Sequence, residues 1–224
     1  MDTQLRTFME GEGDRYFERN RPVYGEADPA TDPPLRLIES YGLQPRSVLE
    51  VGCSNGYRLA TVARIHGARV TGVEPSLAAI ADGRERFPEV RFERGSGDAI
   101  PLDEQFDLVI VNFVFHWVDR SLLLRTAAEV DRVVEDGGFL IVGDYLPAHP
   151  TRRPYHHLPD RDIYTYKQDY AEIFAASSCY QRIAVLAGRH SPPPILSAVV
   201  DDDDRRGTTL LRKRLQELYV EPAG

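Results

Sequence analysis

The chain has 224 residues, 42% of them hydrophobic and 28% charged, which suffices for one α/β domain with a substantial core and is short for two. Its 27 basic against 35 acidic side chains leave a formal net charge of −8, which argues against a broad nucleic-acid-binding surface. Cys53 and Cys179 lack metal-ligand or disulfide-framework spacing, and no apolar run approaches the ~18 residues of a membrane span; a cytoplasmic protein without metal, membrane or nucleic-acid partner is expected.

Residues 1–45, rich in Arg, Tyr and Pro, show no strand pattern; they read either as surface connection or as a lid over a ligand site. From Arg46 onward, β-rich runs alternate with helical patterns, the signature of a parallel sheet covered on both faces, and 46–224 is taken as one domain. Strands are predicted at 47–51, 69–73, 90–93, 106–112 and 139–143, the fourth being the most apolar and so the most central. Helices are predicted at 57–66, stopped by Gly67, from the Ser76 cap toward Phe87, and over 121–134, where Leu123, Ala127, Val130 and Val134 form one apolar stripe before Gly137 and Gly138. A second irregular segment, 147–169, is rich in His, Tyr and Pro and reads as surface connection or as an acceptor-side insertion. A helix near 170–177 and strand-like runs at 181–187 and 208–212 suggest a terminal antiparallel hairpin. The expected fold is a Rossmann-like, seven-stranded, mostly parallel sheet ending in that hairpin.

The loop Glu50-Val51-Gly52-Cys53-Ser54-Asn55-Gly56 admits three readings. A dinucleotide fingerprint needs glycine at 52, 54 and 57, where Ser54 and Tyr57 would put side chains in the way of a pyrophosphate. The G-x-S-x-G pattern imitates a hydrolase elbow with Ser54 as nucleophile, but the 46 residues before the first strand lack the strands and oxyanion loop such an elbow requires. An S-adenosylmethionine loop needs a glycine-rich turn after an acid, here Glu50, and a second acid about 20 residues on to grip ribose hydroxyls, here Glu74.

The runs VLEVGCSNG, VTGVEPS, GDAIPL and FDLVIVNFVFHWV, in that order over about 46–143, resemble the successive motifs of class I S-adenosylmethionine-dependent methyltransferases. The resemblance implies that Glu50, Gly52, Cys53, Ser54 and Gly56 line the methionine end of the cofactor and that Glu74 holds its ribose. It further implies that Pro75 and Ser76 flank the adenine, that Asp98 accepts from the adenine amino group with the Ala99 backbone beside it, and that Asn112 and Phe113 border the methionine and sulfonium. Ser54 and Asn55 depart from the pattern, since many relatives carry another glycine early in this loop.

Methyl transfer from a sulfonium is an in-line displacement in which alignment supplies much of the acceleration, so a base is needed only where the acceptor must lose a proton. His116, after the fourth strand, and His156 or His157, in the insertion, are the candidate bases. The N-terminal run around Tyr16-Phe17-Glu18-Arg19-Asn20 is similar to the opening of methyltransferases of bacterial surface-sugar biosynthesis, which implies Tyr16, Asn20 and Arg21 near the cofactor. It implies as acceptor a sugar, a nucleotide-linked sugar or a related secondary metabolite. An S-adenosylmethionine-binding protein without transfer remains an alternative, as does the Ser54 hydrolase.

Overall fold

In the computed structural model, which describes residues 3–25, 27–191, 196–197 and 200–220, the buried strands form where the sequence is most apolar and β-branched. Five parallel strands, β1 (Ser47–Val51), β2 (Arg69–Glu74), β3 (Arg91–Arg94), β4 (Phe106–Asn112) and β5 (Val134–Tyr145), are joined by β8 (Tyr180–Arg189) and β9 (Arg205–Lys213). The order is β3-β2-β1-β4-β5-β9-β8, with β9 antiparallel to both neighbours. The first and fourth predicted strands coincide with β1 and β4, and the terminal hairpin forms as predicted, longer at both ends. The strand order reverses between β1 and β4, and a crevice opens there beyond the carboxyl ends of the strands.

Alternate residues of each strand face opposite layers. Val48, Val70, Leu108, Ile110, Ile141 and Leu210 pack with α3 (Pro33–Ser40), α4 (Tyr57–His66) and α5 (Leu77–Arg86). Leu49, Val51, Val109, Val111, Leu140, Val142 and Leu211 pack against α6 (Leu123–Val133) and α7 (Ala171–Ala175). The caps are the expected ones where a short polar side chain precedes the helix: Ser76 Oγ accepts from Ala79 N at 3.0 Å, and Asp32 Oδ1 accepts from Leu35 N at 3.1 Å ahead of two prolines.

Three segments differ from expectation. Helix α6 ends at Val133, before the glycine pair, because Val134 turns extended and pairs with Phe106; Gly137, at φ +84°, then lets the strand kink before Phe139 rejoins the ladder. Residues 33–40 belong to the sheet-covering layer, with Leu35, Leu37 and Ile38 buried, so the N-terminal cover is shorter than 1–45. It consists of α1 (Thr3–Thr7), a π-helical turn over Phe8–Glu12 and α2 (Gly13–Asn20). The segment 147–169 contains a small antiparallel pair, β6 (Thr151–Pro154) with β7 (Tyr164–Lys167). Among the described residues no helix is long and apolar enough to cross a membrane.

Candidate active site

A cavity of about 530 Å³ lies at the carboxyl ends of β1, β2 and β4, beneath the N-terminal helices. That is the size of a small-molecule site. Its floor is the loop after β1, where the chain must pass close to its neighbours. Gly52 has φ +72°, and a Cβ there would run into Val114 Cγ2. Its N–H donates to Val73 O at 2.8 Å, tying the loop to β2. Ser54, also left-handed at φ +53°, donates its N–H to Glu74 Oε2 at 2.8 Å. Its hydroxyl bonds Tyr24, and among the described residues no imidazole, the partner that a serine nucleophile requires, is bonded to it. Gly56 does not line the cavity: at φ +76° it opens α4, and a Cβ there would meet Phe92 Cζ at 2.7 Å, so helix-to-sheet packing accounts for it. Cys53 lines the cavity with its thiol buried and pushed up by that burial.

Two carboxylates face this loop. Glu74, at the end of β2, is 8% exposed and accepts from Ser54 N through one oxygen and from Ser76 N, at 3.0 Å, through the other. Burial pushes it up to about 7 against the pull of those two N–H groups. Each oxygen keeps a further acceptor position, the chemistry a vicinal diol needs. Glu50, at the end of β1, is buried and ion-paired with Arg58, which also holds Asp32; burial pushes Glu50 up to about 7 despite the guanidinium. Its Oε2 has no partner among the described residues, leaving one acceptor for a ligand donor such as an α-amino group.

Farther along, Pro75, Asp98, Asn112 and Phe113 line the cavity as expected. Asp98 accepts from Ser96 Oγ at 2.6 Å, and Asn112 fits because its register partner Gly143 has no Cβ to strike its Oδ1. Ser76 and Ala99 do not line it. Ser76 is consumed as the cap of α5 and as donor to Asp14 Oδ1 at 2.6 Å; Ala99 is exposed, with its N–H turned back on Ser96 O. Of the N-terminal residues, Tyr16 and Asn20 line the cavity, whereas Arg21 is drawn away to Asp82 on α5 at 2.9 Å.

The histidines are placed differently from the sequence reading. His156 and His157 are exposed, their rings tilted against each other at 3.9 Å, off the cavity wall, because the buried member of that run is Tyr155. The Tyr155 hydroxyl donates to Glu12 and accepts from Arg19, each at 2.7 Å. His116 is buried behind the wall, its backbone N–H and Nδ1 both on the Asp144 carboxylate. His190, not singled out from the sequence, does line the cavity, 4.7 Å from the Phe113 ring and 5.1 Å from Tyr145. Burial, then Arg206 and His116, hold its imidazole below the usual value. Trp117 packs on Phe8 and Tyr155 and also forms part of the wall. His190 carries no sequence signal, since it lies three residues past the strand predicted at 181–187; for Arg58 the signal is a cation eight residues after Glu50 on the next helix.

Residues 48–138 match the family described as "Methyltransferase domain". Phthiotriol/phenolphthiotriol dimycocerosates methyltransferase of Mycobacterium leprae is 31% identical over 118 residues, 51% of this chain and 43% of that protein. A probable S-adenosylmethionine-dependent methyltransferase of Mycolicibacterium smegmatis is 31% identical over 130 residues, 57% of this chain and 48% of that protein. The chain spans less than half the length of either relative. In fold it is similar to Burkholderia thailandensis 1,6-didemethyltoxoflavin-N1-methyltransferase, crystallised with 1,6-didemethyltoxoflavin and S-adenosylhomocysteine bound. The TM-score is 0.71 at 15% identity, over 96% of this chain and 92% of that one.

Proposed function

We propose that the chain is built round a class I S-adenosylmethionine-dependent methyltransferase domain and transfers a methyl group to a small polar acceptor in the cavity above β1, β2 and β4. The observation that carries this reading is the pairing of Glu74 with the Gly52–Ser54 loop. A carboxylate held by two backbone N–H groups, with acceptor positions to spare, stands against a turn with no side chain at its closest approach. Glu74 would hold the ribose hydroxyls, Glu50 Oε2 the amino group, and Asp98 the adenine amino group. Bound there, S-adenosylmethionine supplies an electrophilic methyl on sulfur.

The chain's own part is alignment, exclusion of water and proton removal. Phe113 and His190 wall the acceptor side, and Tyr145 packs against both, 5.4 Å from Phe113 and edge to face. His190, kept neutral by its lowered pKa, is the candidate base for an acceptor hydroxyl or amine. His116 positions this wall through Asp144, the residue before Tyr145. The helices over residues 3–20 act as a lid, with Phe8, Tyr16 and Asn20 turned to the cavity. The polar and aromatic wall supports a sugar, a nucleotide-linked sugar or a polar secondary metabolite as acceptor, and the acidic, cysteine-poor composition supports a cytoplasmic location.

Calorimetric titration with S-adenosylhomocysteine tests the cofactor, and no binding would refute the proposal. Transfer of labelled methyl to a panel of sugars, nucleotide sugars and polar metabolites tests the acceptor. Binding without transfer to any of them would favour a non-catalytic or differently directed protein.

A further inference from the structure

Arg206 is, among the described residues, the cation on the cavity wall that neither a salt bridge nor the proposed cofactor contacts use. It lies on β9, paired in register with Tyr145 on β5 and with Gly188 on β8, so an aromatic ring flanks it on one side and a residue without a side chain on the other. It is half-buried, lines the cavity beside His190, and has no hydrogen-bond or ion-pair partner among the described residues. The carboxylates near it are committed elsewhere. Asp32 is bound by Arg58 and caps α3; Asp204 accepts from Ser191 N and Oγ and lies 3.5 Å from Arg189; Asp144 is bound by His116. Burial depresses the Arg206 guanidinium, Asp32 and Asp204 favour its charge, and Arg58 opposes it. A rigid fork of five N–H donors, partly dried and unpaired, is costly unless a ligand fills it, and it matches the two oxygens of an oxyanion.

We propose that Arg206 is the recognition group for an anionic substituent, a carboxylate or a phosphate, on the methyl acceptor. The proposal rests on the methyltransferase reading of the cavity, since that reading makes this end the acceptor's. β9 lies three strand spacings, roughly 14 Å, from the strand that the cofactor loop follows, but the Arg206 guanidinium feels Asp32 and Arg58 on that side, so its effect on S-adenosylhomocysteine affinity is what tells an acceptor anion from the cofactor's own carboxylate. On the loop side the nearer cation is Arg58, already held by Glu50 and Asp32.

The test uses the full chain saturated with S-adenosylhomocysteine and titrated with inorganic phosphate, pyrophosphate or succinate. Calorimetry reads binding, and so does the fluorescence of Trp117, the chain's single tryptophan and a cavity residue. The expected result is saturable anion binding that Arg206→Gln weakens by about tenfold or more, the scale of one lost charge-assisted contact, with Arg206→Lys intermediate and S-adenosylhomocysteine affinity within about twofold of wild type. A stronger response to the phosphates assigns a phosphorylated acceptor; a stronger response to succinate assigns a carboxylic acid. Equal anion binding by wild type and Arg206→Gln, or none by either, overturns the proposal. So does a tenfold loss of S-adenosylhomocysteine affinity in Arg206→Gln, which would give the guanidinium to the cofactor. If wild type fails to bind S-adenosylhomocysteine at all, the methyltransferase reading itself falls, a result distinct from any of these.

Discussion

Cofactor affinity should depend on pH through Glu74. Burial pushes its carboxyl up to about 7 in the unliganded protein, so near neutrality a sizeable fraction is protonated. Two ribose hydroxyls donating to the carboxylate stabilise the charged form, so binding must expel that proton and the bound-state pKa falls. The sign follows: affinity is flat above the free pKa and weakens as pH drops through it. With a free pKa of about 7 and a bound pKa well below 6, the dissociation constant at about pH 6 should be roughly tenfold larger than at about pH 8. S-adenosylhomocysteine suits the calorimetric titration because its α-carboxyl and α-amino groups titrate outside that window. Glu50 is also pushed up to about 7, so two variants separate the contributions. Glu74→Gln should bind about 10- to 100-fold more weakly at about pH 8, having lost one acceptor and the charge, and should lose most of the slope. Glu50→Gln should keep the share of the slope that Glu74 contributes. A flat wild-type profile, or the same slope in Glu74→Gln, would refute the assignment of Glu74 to the ribose.

Gly52→Ala places a methyl group against Val114 at a left-handed backbone position, and about 2–4 kcal/mol of stability should be lost in urea denaturation, together with cofactor binding. Adding Val114→Ala should recover the overlap but not the backbone part; full recovery would show that φ is not a constraint there. Arg58→Leu strands Glu50 and Asp32 without their shared cation and should cost about 3–5 kcal/mol. The folded pKa of Glu50 lies above its unfolded one, so its penalty is absent at low pH and develops as pH rises toward and through about 7; equal destabilisation at about pH 5 and about pH 8 would contradict this. His190→Ala should lower kcat by about 10²-fold or more while leaving S-adenosylhomocysteine affinity unchanged, and His156→Ala and His157→Ala should leave both parameters near wild type. Steady-state kinetics on any acceptor found by the labelling panel decides between them.

The sheet was legible because its strands are buried on both faces: SVLEV and FDLVIVN are apolar runs that only a central parallel strand uses, and their bounds were read to the residue. Helix α4 was equally clear between Gly56 and Gly67, both left-handed. What escaped was side-chain direction at element ends. In Tyr155-His156-His157 sequence shows three adjacent polar aromatics, but only Tyr155 finds partners, Glu12 and Arg19, on a helix more than a hundred residues away. Gly56 and Ser76 carry motif positions whose local duties, close packing under Phe92 and capping α5, account for them without a ligand. His190 and Arg206 join the wall because β8 and β9 run past the predicted hairpin, and strand length beyond the apolar stretch has no sequence signal.

The N-terminal cover is fastened on two sides of the crevice. Its front end holds the wall beside Trp117: Gln4 donates to Trp117 O and accepts from Tyr164 N, and Leu5 N donates to Asp119. Beyond the break at Gly11, its rear end is tied to α5 through Asp14 on Ser76 and Arg21 on Asp82. Releasing one end leaves the other in place, so on the proposed reading of this segment as a lid a spent cofactor leaves only when both ties have parted. A change at Gln4 or Asp14, far from the transferred methyl, should then register as faster exchange rather than as altered chemistry.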